Sequence, residues 1–89
     1  MEPKREALLT FPCVFPLKVM GRREDGFAQA VSEIVQRHAP DFRPHTLEMR
    51  TSRNGRYLSL TVTLNARSQE QLDALYTELS KHPMVMMVL

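Results

Sequence analysis

The stretch Tyr57-Leu58-Ser59-Leu60-Thr61-Val62-Thr63-Leu64-Asn65-Ala66 decides the fold. Leu58, Leu60, Val62 and Leu64 occupy every second position, with Ser59, Thr61, Thr63 and Asn65 between them. Successive side chains of an extended chain point to opposite faces, so this run builds one apolar and one polar face. That is how a strand of a half-buried antiparallel sheet is written, with one face on a core. Threonine on the polar side suits a strand and needs no ligand to explain it.

Just before this strand, Ser52-Arg53-Asn54-Gly55 supplies a turn. Asn-Gly is the strongest short-range hairpin signal. Thr46 to about Arg50 is therefore the hairpin's other strand, with Leu47 and Met49 on one face. Just after it, Ser68 and Gln71 open a helix as a capping box. Leu72, Leu75, Tyr76 and Leu79 form that helix's apolar stripe, with Lys81 and His82 near its end and Pro83 stopping it. The last stretch, Met84–Leu89, reads as a strand.

Further toward the N-terminus, Phe15, Leu17 and Val19 alternate with Pro16, Lys18 and Met20. This places a first strand within Val14–Met20. Pro16 lacks an N–H and belongs at a strand start, an edge or a bulge, so the regular strand is expected from Leu17. Gly21 ends the strand, and Arg22-Arg23-Glu24-Asp25-Gly26 is a charged turn. Phe27, Val31, Ile34, Val35 and His38 then recur at helical spacing, giving a helix from about Gly26 to His38. Asp25 is the expected N-cap, and Pro40 forces the stop. Asp41–His45 is a connecting loop, and residues 1–10 are expected to be a flexible N-terminal arm.

The order is strand, helix, strand, strand, helix, strand. Right-handed crossovers turn it into an α+β, ferredoxin-like βαββαβ sandwich. Residues 11–89 then form one domain, a four-stranded antiparallel sheet with two helices on one face and spatial strand order 4-1-3-2. The other face of the sheet stays open.

The 89 residues, 43% hydrophobic, suffice for one domain with a thin core. Cys13 is the only cysteine, so an internal disulfide and a cysteine-rich zinc site are both excluded. With no apolar segment long enough for a leader or a membrane span, a cytoplasmic location without membrane contact is expected. Twelve basic residues against ten acidic give +2, with the signs mixed along the chain. A tight nucleic-acid binder concentrates its basic residues on one face. The polar sheet face offers Tyr57 alone for base stacking, so nucleic-acid binding is disfavoured.

No catalytic constellation emerges. His38, His45 and His82 have no metal-ligand spacing, and Cys13 has no neighbouring general base in sequence. We expect no enzyme activity, no cofactor and no metal. Met84, Met86 and Met87 raise a soft-metal idea, but apolar packing in a terminal strand accounts for them better. Besides a weak RNA-binding domain, the last alternative, two binding roles remain open. One is a contact with a protein partner or a second copy. Its candidate residues are Arg50, Arg53 and Arg56 around the hairpin, Thr61 and Thr63 on the open face, and Val85 and Met87 on the last strand. The other is a small anion or amino acid held at the first turn, with Gly21 and Gly26 as candidate ligand-binding residues.

Several segments also resemble a known family. Leu8-Leu9-Thr10-Phe11-Pro12, Lys18-Val19-Met20-Gly21 and Gln36-Arg37-His38-Ala39-Pro40 are among them. Ser52 with Gly55 and Tyr57, Leu75-Tyr76 with Leu79, and Met87-Val88-Leu89 complete the set. Together they resemble the small bacterial YbeD-like proteins of unknown function (DUF493, also called UPF0250), loosely named lipoate regulatory proteins. The resemblance implies a βαββαβ fold similar to ACT-type regulatory domains and a link to lipoate metabolism. It brings no catalytic or ligand residues to carry over.

Overall fold

In the computed structural model, which describes residues 10–89, the strand Tyr57–Ala66 is β3 and lies inside the sheet. It pairs antiparallel on one side with β1 (Cys13–Arg22) and on the other with β2 (Glu48–Thr51). A short β4 (Val85–Val88) pairs with the far side of β1. The sheet order β2-β3-β1-β4 is the expected one, with β2 and β4 as edges. Helix α1 (Phe27–His38) follows β1, and α2 (Gln69–Lys81) follows β3.

The alternation of β3 settles the layering. Leu58, Leu60, Val62, Leu64 and Ala66 are buried, whereas the residues between them are half-buried or exposed. Leu17 and Val19 of β1 join them on the inner face. Phe27, Val31, Ile34 and Val35 of α1 and Leu72, Leu75 and Leu79 of α2 close the core from above. Each such aliphatic side chain gains roughly 1.5–3 kcal/mol by leaving water. Among the described residues no buried side-chain nitrogen or oxygen lacks a partner.

Several local expectations need correction. β1 begins at Cys13 and takes in Pro16. Lys18 exchanges both backbone hydrogen bonds with Leu89, so its N–H faces β4. By the period of two, the missing N–H of Pro16 falls on that same side, beyond the last β1–β4 pair. The proline therefore removes nothing from the β1–β3 ladder, where it sits opposite Thr63.

The α1 N-cap is Gly26, not Asp25. Gly26 is left-handed at φ 86°, and no side chain caps the helix. The glycine conformation turns the chain directly into the helix, and Asp25 remains in the preceding turn. The second strand starts at Glu48, because Pro44–Thr46 makes a turn of 3-10 helix first. Proline presets the backbone angle of that turn, and the Thr46 hydroxyl donates to the Arg43 carbonyl at 2.7 Å. At α2, Ser68 accepts the Gln71 N–H at 3.1 Å, as a capping box requires. The Gln71 side chain departs from the box. It accepts from Arg67 N–H at 2.6 Å and donates to the His38 carbonyl at 2.7 Å, tying α2 to the end of α1.

Candidate functional site

Two surfaces combine the residues singled out above. The first is the β4 edge. Val19 pairs with Val88 and Met20 with Met87, then the register shifts and Gly21 pairs with Val85. The shift leaves Met86 as the extra residue of a bulge. Val85 and Val88 are half-buried against the core, while Met86 and Met87 stand 60% and 51% exposed. Leu89, 59% exposed, shares the open face with Lys18, its ladder partner. The candidate residues on this strand therefore divide: Met87 is presented to solvent, and Val85 packs inward.

Nothing on side chains from Pro83 to Leu89 carries a charge. The opposite edge differs. In β2, Glu48 and Arg50 lie across from Thr61 and Ser59 on the open face, charged groups of the kind that discourage strand addition. Arg50 and Thr61 line one shallow groove of about 330 Å³ there, with Lys18 and Glu48. Thr63 lies farther along, toward Val14 and Asn65.

The second surface is a cleft between the β1–α1 turn and the β2–β3 hairpin. The two loops are joined by the Arg23 N–H, which donates to the Arg56 carbonyl at 2.8 Å. The hairpin is held by the Gly55 N–H on the Ser52 carbonyl and by Asn54 Oδ1, which accepts from Arg56 N–H at 3.1 Å. Gly55 alone has positive φ there, 78°, so the loop is wider than the two-residue turn typical of Asn-Gly. Arg22, Arg23, Glu24, Gly55, Arg56 and Tyr57 line a cleft of about 480 Å³. Arg53 lies outside it, at the hairpin tip with Ser52 and Asn54. The β1–β3 register brings Arg22 directly opposite Tyr57. The sequence reading took Arg22 and Arg23 as turn residues only. The signal for their place in the cleft was the hairpin itself, which had to end beside the first turn.

Gly21 and Gly26 flank this cleft in sequence without lining it. Gly21 is buried, and a Cβ there would stand 2.8 Å from the Phe27 ring and 2.3 Å from the Met84 carbonyl oxygen. Packing accounts for this glycine. Around Gly26 a Cβ would meet nothing, so its left-handed backbone accounts for it.

The histidines do not converge. His38 Nε2 lies 2.7 Å from Glu78 Oε1 across the two helices, and Arg37 pairs with the same carboxylate. These contacts, that of His38 foremost, hold the Glu78 carboxyl below its ordinary range. His82 Nδ1 accepts from the Met84 N–H at 3.1 Å, and His45 sits in the 3-10 turn. Among the described residues no group of three or more His, Cys, Asp or Glu side chains is placed to hold a metal ion. No helix among them is long and apolar enough to cross a membrane.

The profile of the family described as "Protein of unknown function (DUF493)" matches residues 6–89. The chain belongs to the DUF493 family. One relative, UPF0250 protein NE1487 of Nitrosomonas europaea, is 56% identical over 84 residues, covering 94% of this chain and 97% of the relative. A UPF0250 protein of Chromobacterium violaceum is 47% identical over the full length of both chains. Among solved structures, protein HP0495 of H. pylori superposes with a TM-score of 0.74 at 20% identity, over 91% of this chain and 85% of that one. The ACT domain of the GTP pyrophosphokinase of Chlorobium tepidum gives 0.68 at 14% identity, over 90% and 86%. The DUF493 chain thus shares the ACT-like fold, and at such identities the likeness is one of fold.

Proposed function

We propose that this DUF493 protein is a non-enzymatic regulatory or adaptor domain that works through protein contacts, the first of them with a second copy of itself. One observation carries the reading: an edge strand with no charged side chain, β4, whose Met86 and Met87 face solvent together with Leu89 just beyond it. By the alternation of the ladder, the Val88 N–H and C=O point away from β1. A second β4 lying antiparallel would bond those groups and cover the methionines, which adapt readily to an interface. A two-fold axis makes such a contact self-complementary without further design. The link to lipoate metabolism rests on the family resemblance and adds no residue to this surface.

Light scattering across a dilution series tests the reading. The wild-type chain should move toward twice the monomer mass as concentration rises, and Met87→Lys should abolish the shift. Val85→Lys is the poorer probe, because Val85 packs on the core. A chain that stays monomeric at all concentrations contradicts the self-association.

A second reading, a small-molecule sensing domain with its ligand beside the first strand–helix turn, is favoured by the three arginines lining the cleft there.

A further inference from the structure

The residues of that cleft specify a ligand chemistry. Among the described residues, Arg22, Arg23 and Arg56 meet there against one carboxylate, Glu24, so three positive charges less one negative leave two. Among the described residues, the ion pairs are those of Arg37, His38 and Arg67, and none engages the cleft arginines. Guanidinium is charged at any physiological pH and presents a planar fork of donors that matches phosphate oxygens. A phosphate or diphosphate group meets a double positive charge better than the single carboxylate of an amino acid. Gly55 adds no side chain, leaving room at the hairpin wall.

Tyr57 supplies the other half. It is the only aromatic residue of the lining, is 39% exposed, and lies opposite Arg22 in the ladder. Its backbone N–H is already used, donating to Ser52 Oγ at 3.0 Å, which fixes the residue at the mouth of the hairpin. A tyrosine face beside an arginine cluster can stack a flat ring whose phosphates the arginines hold. The volume, about 480 Å³, is that of an ordinary small-molecule site.

We infer that the cleft binds a phosphorylated ligand bearing a flat ring, of the nucleoside diphosphate class. The arginines take the phosphates and Tyr57 takes the base. The inference rests on the small-ligand reading above and narrows it. Because a tyrosine face is indifferent to base identity, the four common ribonucleoside diphosphates should bind with similar affinity.

Calorimetry on the full chain with ADP, GDP, CDP and UDP, with inorganic pyrophosphate, and with guanosine separates the contributions. The diphosphates should bind, pyrophosphate roughly tenfold more weakly, and guanosine not measurably. Tyr57→Ala should reduce the diphosphates to the pyrophosphate level. Arg23→Gln combined with Arg56→Gln should weaken every phosphate ligand at least tenfold. Arg53→Gln, outside the lining, should change nothing. Circular dichroism confirms that each variant is folded. If pyrophosphate equals the diphosphates and Tyr57→Ala has no effect, the nucleotide inference is wrong while the small-anion reading stands. If no phosphate ligand binds, both are wrong. Binding of a single-stranded oligoribonucleotide without binding of any diphosphate also overturns the inference.

Discussion

The Phe27 ring occupies the space where Gly21 would carry a side chain. A Cβ on Gly21 would come within 2.8 Å of two ring carbons and within 2.3 Å of the Met84 carbonyl oxygen. The end of β1, the start of α1 and the approach to β4 therefore meet at one point. Any side chain at residue 21 must displace either a fully buried ring or the backbone leading into the edge strand.

Gly21→Ala should consequently destabilise the domain by about 1–3 kcal/mol, the usual range for overpacking a core. Urea denaturation measures this. The same variant should loosen the β1–β4 pairing more than the β1–β3 pairing, since Met84 directly precedes β4. An unchanged midpoint would mean that β4 yields without cost.

Leu60 sits at the middle of β3 with no exposed surface, facing both helices. Leu60→Ala should cost roughly 2–5 kcal/mol, enough to unfold much of a small domain at room temperature. Thr61→Ala, one residue along on the open face, should cost far less. Thermal melts of the pair test the layering directly.

At the start of α2, Ser68→Ala removes the acceptor for the Gln71 N–H. The expected loss is about 1 kcal/mol. Gln71→Ala should be the more disruptive of the two, because it breaks the contacts to Arg67 N–H and to the His38 carbonyl together. Chemical denaturation of both variants gives the order.

Glu78 predicts a pH dependence. Its carboxyl is held below the ordinary value of 4.5 by His38 first and then Arg37. A carboxyl with its pKa depressed on folding contributes stability that is present above the unfolded value and lost as pH falls through the folded one. Stability should therefore decline as pH drops below 4.5. Asp41, depressed mainly by the hydrogen bond from the Asn65 side chain, adds a decline of the same sign. Glu78→Gln should flatten this acid limb in part, leaving the share of Asp41. Melting temperatures between about pH 3 and pH 7 measure it, roughly two units to either side of the ordinary carboxylate titration.

Much of this fold was legible because its main elements obey a single period. The alternation from Leu58 to Leu64 and the helical spacing from Phe27 to Val35 each say which side is buried, and both sides are where they should be. What stayed hidden depends on tertiary neighbours. Phe42 lies between two prolines in a loop with no period, yet it is 4% exposed, with its carbonyl held by the Gln36 side chain. Pro16 reads as a ladder breaker until the short reach of β4 shows which side its nitrogen faces. Gly21 reads as turn chemistry, and only the position of Phe27 reveals the crowding. The cleft was hidden for the same reason. Arg22 is far from Arg56 and Tyr57 in sequence, and only the β1–β3 register brings it beside them. The β4 edge was more legible, since an uncharged terminal run needs no neighbour to be noticed, although the exposure of Met86 follows from a bulge that no local signal marks.

The central claim is that a second β4 covers the outward backbone of this edge. Amide hydrogen exchange at Val88, followed by NMR in dilute and in concentrated protein, tests it most directly. The account predicts exchange at Val88 that slows as concentration rises, while Leu60, already inside the sheet, exchanges slowly throughout. Val88 exchange that is fast and independent of concentration would contradict it.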